Sequence, residues 1–260
     1  MADSFDRVAA RYDATRALPA AAEADIAVGI ARAVGATRRT RLLEIGVGTG
    51  RIALPLSRLR LRCVGIDRSA PMLAAARHGG RDGTGQLLLA RADATALPFA
   101  TASVDVALIV HVFHLIPDWP VALREALRVL RPGGYLVYGS EQRGAASEEG
   151  PIAAQWRALL TARGIAPRNH RSTDDAVGAL LREHGLSPTT ETVATWTGET
   201  TVAQTLARHA SRDYSSSWGI PDAIFAEANA ALTAWVAVRY PASDRKLVTQ
   251  SEFTLTIAPQ

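Results

Sequence analysis

The chain has 260 residues, a formal net charge of +4, 48% hydrophobic and 21% charged residues, and one cysteine. This is the balance of an ordinary globular protein long enough to bury a full core, and a lone Cys63 excludes an internal disulfide. No stretch of about 18 apolar residues occurs, and Met1 to Pro19 is charged throughout, so neither a membrane span nor a secretory signal is expected and the expected location is the cytoplasm.

The positive excess is uneven. Residues 1–140 carry 18 basic and 12 acidic side chains, and residues 141–260 carry 11 and 13. Arg38, Arg39 and Arg41 precede the first apolar strand, while Arg58, Arg60 and Arg62 alternate with leucine before the second. They are read as a solvated rim at the strand starts, not as a surface for nucleic acid.

In chain order, Phe5, Val8 and Tyr12 stand at helical spacing, and Ala20 to Val34 is an amphipathic helix stopped by Gly35. Arg41 to Ser57, RLLEIGVGTGRIALPLS, then reads as buried strand, glycine turn and helix, the opening of an α/β nucleotide-binding unit. Pro55 is expected to bend that helix. RCVGID (62–67) is a second buried strand ending on an acid, and Ser69 caps a helix with Pro71 in its first turn. Leu87 to Ala90 is a third strand and Val104 to Val110 a strongly apolar fourth. Asp118 is expected to cap a helix that ends at Pro132-Gly133-Gly134, before a fifth strand from Tyr135 to Gly139. Alternating strands and helices of this kind predict a parallel, doubly wound sheet.

Beyond Gly144 the pattern becomes mostly helical: Ile152 to Arg163, Thr173 to His184 capped by Thr173, Thr201 to His209, and Pro221 to Tyr240. Thr192 to Thr197 is a candidate sixth strand. Glu252 to Ala258 alternates Phe253, Leu255 and Ile257 with polar residues, as a half-exposed strand does.

Ligands of open α/β sheets lie beyond the carboxyl ends of the strands. The residues there are Gly46, Gly48 and Gly50, Asp67, Asp93, Val110 and His111. Glycines at every second position, E-x-G-x-G-x-G with Glu44 leading, depart from the dinucleotide spacing G-x-G-x-x-G. Asp67 can accept both ribose hydroxyls or cap the next helix. Asp93 can accept from an adenine amino group or close a solvated turn. Met72 can pack on an adenine face or in the core. Glu44, Arg68 and Val110 complete the candidate cofactor set. No cluster at metal-ligand spacing occurs, so no metal is expected.

Together, LLEIGVGTGR, VGIDRSAPMLAAAR, ARADATALPFATASVDVALIVHVFHLIPDW and ALREALRVLRPGGYLVYG resemble the class I S-adenosylmethionine (SAM) dependent methyltransferases over about residues 40–140. Within them, the chain resembles the small-molecule subgroup that includes the ubiquinone and menaquinone biosynthesis C-methyltransferases. The resemblance implies that Gly46, Gly48 and Gly50 line the methionine end of SAM, that Asp67 holds the ribose, and that Asp93 with Ala94 holds the adenine. It also implies an N-terminal lid carrying Tyr12-Asp13, and a seven-stranded sheet with a reversed last strand.

The expected organisation is one Rossmann-like methyltransferase domain with a helical cap. Residues 1–40 form the lid and first helix, 41–140 the SAM-binding core, 141–246 the cap insertions and sixth strand, and 247–260 the last strand. The expected function is methyl transfer from SAM to the O, C or N of a small molecule, by a monomer or homodimer. An RNA methyltransferase and a non-catalytic SAM-binding protein are the alternatives. Trp156, Trp196, Tyr214, Trp218 and Trp235 suggest a partly apolar acceptor. His114, which matches a family position, and then His111 are the candidate bases, because histidine titrates nearest neutral pH.

Overall fold

The computed structural model describes residues 6, 9, 12, 16–80, 87–166, 170–212 and 214–260. Phe5, Val8 and Asp13, singled out above, lie outside the described residues. The strands are β1 (Arg41–Ile45), β2 (Arg62–Asp67), β3 (Leu87–Arg91), β4 (Val104–Val110), β5 (Leu130–Arg143), β6 (Thr189–Thr201) and β7 (Lys246–Pro259). They form one seven-stranded sheet in the order β3-β2-β1-β4-β5-β7-β6. Neighbours from β3 to β5 pair in parallel.

The last strand is reversed. Gly133 N–H donates to the Gln260 carbonyl and Gly144 N–H to the Gln250 carbonyl, so β7 runs antiparallel to β5. Every residue of β4 is buried, Asp105 included, as the apolar run from Val106 to Val110 requires of a central strand covered on both faces.

The helices are α1 (Ala20–Ala33), α2 (Ala53–Arg58), α3 (Ala70–Gly79), α4 (Trp119–Val129), α5 (Gly150–Thr161), α6 (His170–Glu183), α7 (Val202–Ala210) and α8 (Asp222–Arg239). Pro55 lies in a helix of only six residues, between the i→i−4 bonds of Leu54 N–H to the Gly50 carbonyl and Leu56 N–H to the Ile52 carbonyl. Local expectations elsewhere are corrected. Asp118 stands at the N-terminus of α4 without a side-chain capping bond. Helix α6 begins at His170 and not at Thr173. Thr201, in contrast, caps α7 in a reciprocal box with Gln204, each side chain bonded to the other's main-chain N–H.

The chain divides into two compact units, Met1–Glu141, His170–Ala194 and Phe253–Gln260 in one, Gln142–Asn169 and Thr195–Glu252 in the other. Helix α6, expected among the cap insertions, therefore groups with the nucleotide-binding core. Its Val177 and Leu181 are buried in the same cluster as Ile45, Ile109, Phe113 and Tyr138, and Asp174 accepts a hydrogen bond from the Tyr138 hydroxyl at 2.5 Å.

The second unit has its own core of Ile152, Trp156, Leu160, Phe225, Ala228, Leu232 and Val236. Trp156 meets Phe225 edge-on at 5.7 Å and lies 5.4 Å from the His209 ring, whose burial pushes its pKa down to about 4. Trp235 packs edge-on against Tyr240, and the Trp218 indole N–H donates to the Arg212 carbonyl at 2.7 Å. Trp156 and Trp235 thus serve this unit's packing. Among the described residues no helix is long and apolar enough to cross a membrane, and no group of three or more His, Cys, Asp or Glu could hold a metal.

Helix α1 illustrates how close the first unit packs. A Cβ on Gly29 would lie 2.5 Å from the Val193 Cβ of β6. Glycine in mid-helix costs about 1 kcal/mol relative to alanine, but overpacking costs about 1–3 kcal/mol. Gly29→Ala is therefore expected to lower stability despite its better helix propensity. Urea denaturation checks it, and a stabilised variant would show that α1 can slide off Val193.

Candidate functional site

The glycine turn is fixed to β2 before it does anything else. Gly46 N–H and Val47 N–H both donate to the Ile66 carbonyl at 2.8 Å. Val47 is buried against Gly65, where a Cβ would stand 2.6 Å from its Cγ2. Gly46 (φ +77°) leaves no room for a side chain either, since its Cβ would meet Val112 at 2.3 Å.

Gly48 differs. It also has positive φ (+54°), yet among the described residues nothing lies within 4 Å of the position a Cβ would take. The protein leaves bare backbone facing open space there. Gly50 (φ +85°) packs on Leu54 and its carbonyl accepts the Leu54 N–H, which opens α2.

Asp67, at the end of β2, faces this turn. Its Oδ2 accepts Gly48 N–H at 2.9 Å and its Oδ1 accepts Ser69 N–H at 2.8 Å. Burial pushes its pKa up, against the pull of those amides and of Arg68. Of the two roles read from the sequence the cap is visible here, because the carboxylate accepts amides of both the glycine turn and the turn that follows β2. Arg68 gives its carbonyl to Arg91 Nε at 2.9 Å. Ser69 Oγ accepts Met72 N–H at 3.3 Å and donates to Asp6 at 2.5 Å. Met72 itself is 2% exposed and is core.

Asp93 is exposed after β3. Its Oδ1 accepts the main-chain N–H and the hydroxyl of Thr95, bonds that hold its pKa below the usual carboxylate range. Ala94 beside it packs on the sheet core. Tyr12, half-buried, has the Arg16 guanidinium 4.9 Å from its ring centre.

Glu44 is fully buried in β1. The Ala53 N–H at the start of α2 bonds its carboxyl, while Oε2 has no hydrogen-bond partner among the described residues. Burial pushes its pKa up to about 8, and the Arg51 charge opposes that shift.

At the end of β4, Val110 is buried and His111 takes a left-handed backbone (φ +53°). Glu141 N–H donates to His111 Nε2 at 3.0 Å, which commits that nitrogen's lone pair and places the neutral ring's proton on Nδ1. Phe253 meets the His111 ring edge-on. His114 lies half-buried in the 3₁₀ turn Phe113–Leu115. That turn is pinned by Phe113, which stacks on Tyr138 at 5.6 Å and tilts against Trp119 at 5.7 Å.

The structure thus gathers Glu44, the glycine turn, Asp67, Arg68, Val110 and His111 at the carboxyl ends of adjacent strands. It does not bring Met72 to a surface. Sequence reading missed Arg51, Asp6 and Glu141. Arg51 stood inside a quoted motif without a role, and an acid at the end of a fifth strand carries no signal of its own.

A methyltransferase domain family matches residues 43–138. The chain is 30% identical over 228 residues to a demethylmenaquinone methyltransferase of Parafrankia sp., covering 79% of this chain and 84% of that protein. The chain belongs to the class I SAM-dependent methyltransferases. The ubiquinone/menaquinone biosynthesis C-methyltransferase UbiE of Syntrophotalea carbinolica is 34% identical over 136 residues, which span 51% of this chain and only 57% of that protein. A putative methyltransferase from Bacillus halodurans shares the fold, with a TM-score of 0.58, 16% identity and coverage of 90% and 98% of the two chains.

The family's cofactor is SAM, and the residues present fit it. The bare Gly48 backbone, the Asp67 carboxylate fixed beside it and the unpartnered buried Oε2 of Glu44 are the features a charged adenosyl ligand can use.

The glycines separate experimentally. Gly48→Ala has space for its methyl and is expected to weaken SAM binding by at least about tenfold at a cost of roughly 1–2 kcal/mol in backbone strain. Gly46→Ala adds a clash with Val112 and is expected to lose clearly more stability. Calorimetric titration and thermal melting of both variants test this, and the reverse order of stability would refute it.

Glu44 makes stability depend on pH. A carboxyl whose folded pKa lies near 8, above its unfolded value, binds more protons when folded. Its favourable contribution is complete below about pH 4.5 and is lost as pH rises toward 8, with a slope of at most about 1.4 kcal/mol per pH unit. Glu44→Gln, which cannot ionise, is expected to flatten the stability profile between those values. Denaturation curves at pH 5, 6.5 and 8 compare the two proteins, and parallel profiles would rule the effect out.

Proposed function

We propose that this chain transfers the methyl group of SAM to a small, partly apolar acceptor, with His114 as the group that takes up the acceptor's proton. The observation that carries the reading is the open Gly48 backbone beside an anchored Asp67 carboxylate. The relatives named above act, by their names, on quinone precursors, which favours an acceptor of that size over a polymer.

The sulfonium of the bound cofactor supplies an already activated methyl group. The chain's part is to bind, align and exclude water. Gly46, Gly48 and Gly50 would hold the methionine end, Asp67 the ribose hydroxyls, and Asp93 with Ala94 the adenine. Glu44, Arg68 and Val110 frame that set, and Tyr12 belongs to the N-terminal part of it.

Between the two histidines, the match to the family position favours His114. His111 has Nε2 committed to the Glu141 amide, which suits a residue that shapes the turn. His114 stands three residues on, in a turn held rigid by Phe113. A cytoplasmic location is supported by the lone, buried Cys63 thiol. An RNA acceptor is disfavoured because Arg41 and Arg131, at the strand starts, are both spent on Asp105, at 3.0 and 2.8 Å.

Titration with SAM, its demethylated product and NAD tests the cofactor, and binding of NAD alone would overturn the assignment. His114→Gln is expected to lower turnover about 10²–10⁴-fold on any acceptor identified by screening, with SAM affinity nearly unchanged. Loss of SAM binding would make His114 a cofactor residue, and full turnover would leave proton removal to solvent.

A further inference from the structure

Arg51 follows the last glycine of the turn and is nearly buried, its side chain 13% exposed. A cation so placed requires partners. One guanidinium nitrogen, Nη1, donates to the Arg16 main-chain carbonyl at 2.9 Å and to Glu141 Oε2 at 3.4 Å. On its other side the same charge acts on the fully buried Glu44 carboxyl.

Glu141 is a junction in turn. Its side chain meets Arg51 and its main-chain N–H holds His111 Nε2 at 3.0 Å. His111 needs that hold, because a left-handed backbone at φ +53° is disfavoured for any residue with a Cβ. Three separate stretches therefore meet at one cation, the chain at Arg16, the glycine turn and the end of β5, and the His111 turn joins through the Glu141 main chain.

We propose that Arg51 is a positioning residue for methyl transfer, which ties the chain at Arg16 and the Glu141–His111 junction to the cofactor turn. The guanidinium touches no reacting atom. It sets where the N-terminal stretch and the His111 turn stand relative to Gly48 and Asp67. Arginine suits the task better than lysine, since its delocalised charge is more weakly hydrated and keeps its proton when buried. The inference rests on the glycine turn being the cofactor site.

The test uses the full chain and S-adenosylhomocysteine, so no acceptor is needed. Arg51→Met is expected to weaken its binding about tenfold, the scale for losing hydrogen bonds from a charged donor. The same variant, without ligand, is expected to be cut faster by trypsin after Arg16, as followed by mass spectrometry. Arg51→Lys should restore part of both properties. Glu141→Gln should weaken binding by itself but add little in the Arg51→Met background, because the two side chains act as one unit.

Thermal melting separates this from a merely structural role. Binding and cleavage that track the loss of melting temperature, with Arg51→Lys no better than Arg51→Met, would overturn the inference. So would wild-type binding and cleavage in Arg51→Met. Failure of the wild-type chain itself to bind S-adenosylhomocysteine would instead bring down the cofactor reading, and this inference with it.

Discussion

The site depends on one close approach, the seating of the glycine turn on β2. Val47 reaches the backbone of β2 only because Gly65 has no Cβ, and the Ile66 carbonyl can then take two successive amides. With the turn held there, Gly48 N–H points at Asp67, and the carboxylate is fixed by the same strand that carries it. A larger residue at position 65 would lift the turn, and Asp67 would lose its bond to Gly48.

Charge is handled differently at the two ends of the sheet. At the strand starts, Asp105 takes both Arg41 and Arg131, and all three stay near solvent or paired, so the arrangement holds β1, β4 and β5 in place. At the strand ends, charges are buried first and paired second. Glu44 is pushed up by burial, Asp67 likewise, and the well-buried Arg51 acts on Glu44 and pairs with Glu141. Desolvated carboxyls with unspent hydrogen-bonding capacity are costly to a fold. A charged ligand that supplies the missing partners recovers that cost on binding.

The division into two units has a similar logic. Helix α6 lies in the chain after α5, yet its Val177 and Leu181 are buried with the residues that support the His114 turn. Tyr138 links them, stacking on Phe113 with its ring and donating to Asp174 with its hydroxyl. Trp156 is likewise drawn into packing by Phe225 within the other unit. Aromatic residues supply large buried area, so their presence in a stretch does not distinguish a wall of a pocket from a core.

The sequence by itself determined the parallel core from β1 to β5, because buried strands and glycine turns are local patterns. It determined the candidate cofactor residues at the strand ends for the same reason: in a doubly wound sheet, position along the chain specifies which end a residue occupies. The alternation around Phe253 marked the last strand, while its reversal followed only from the family resemblance. Tertiary structure alone decided what depends on distance in space. The burial of Met72 and the grouping of α6 follow from which faces meet. The junction of Arg51 with Arg16, Glu141 and, through Glu141, His111 joins residues 35 to 90 positions apart. No spacing encodes such a contact, because it exists only once the sheet has brought those strand ends together.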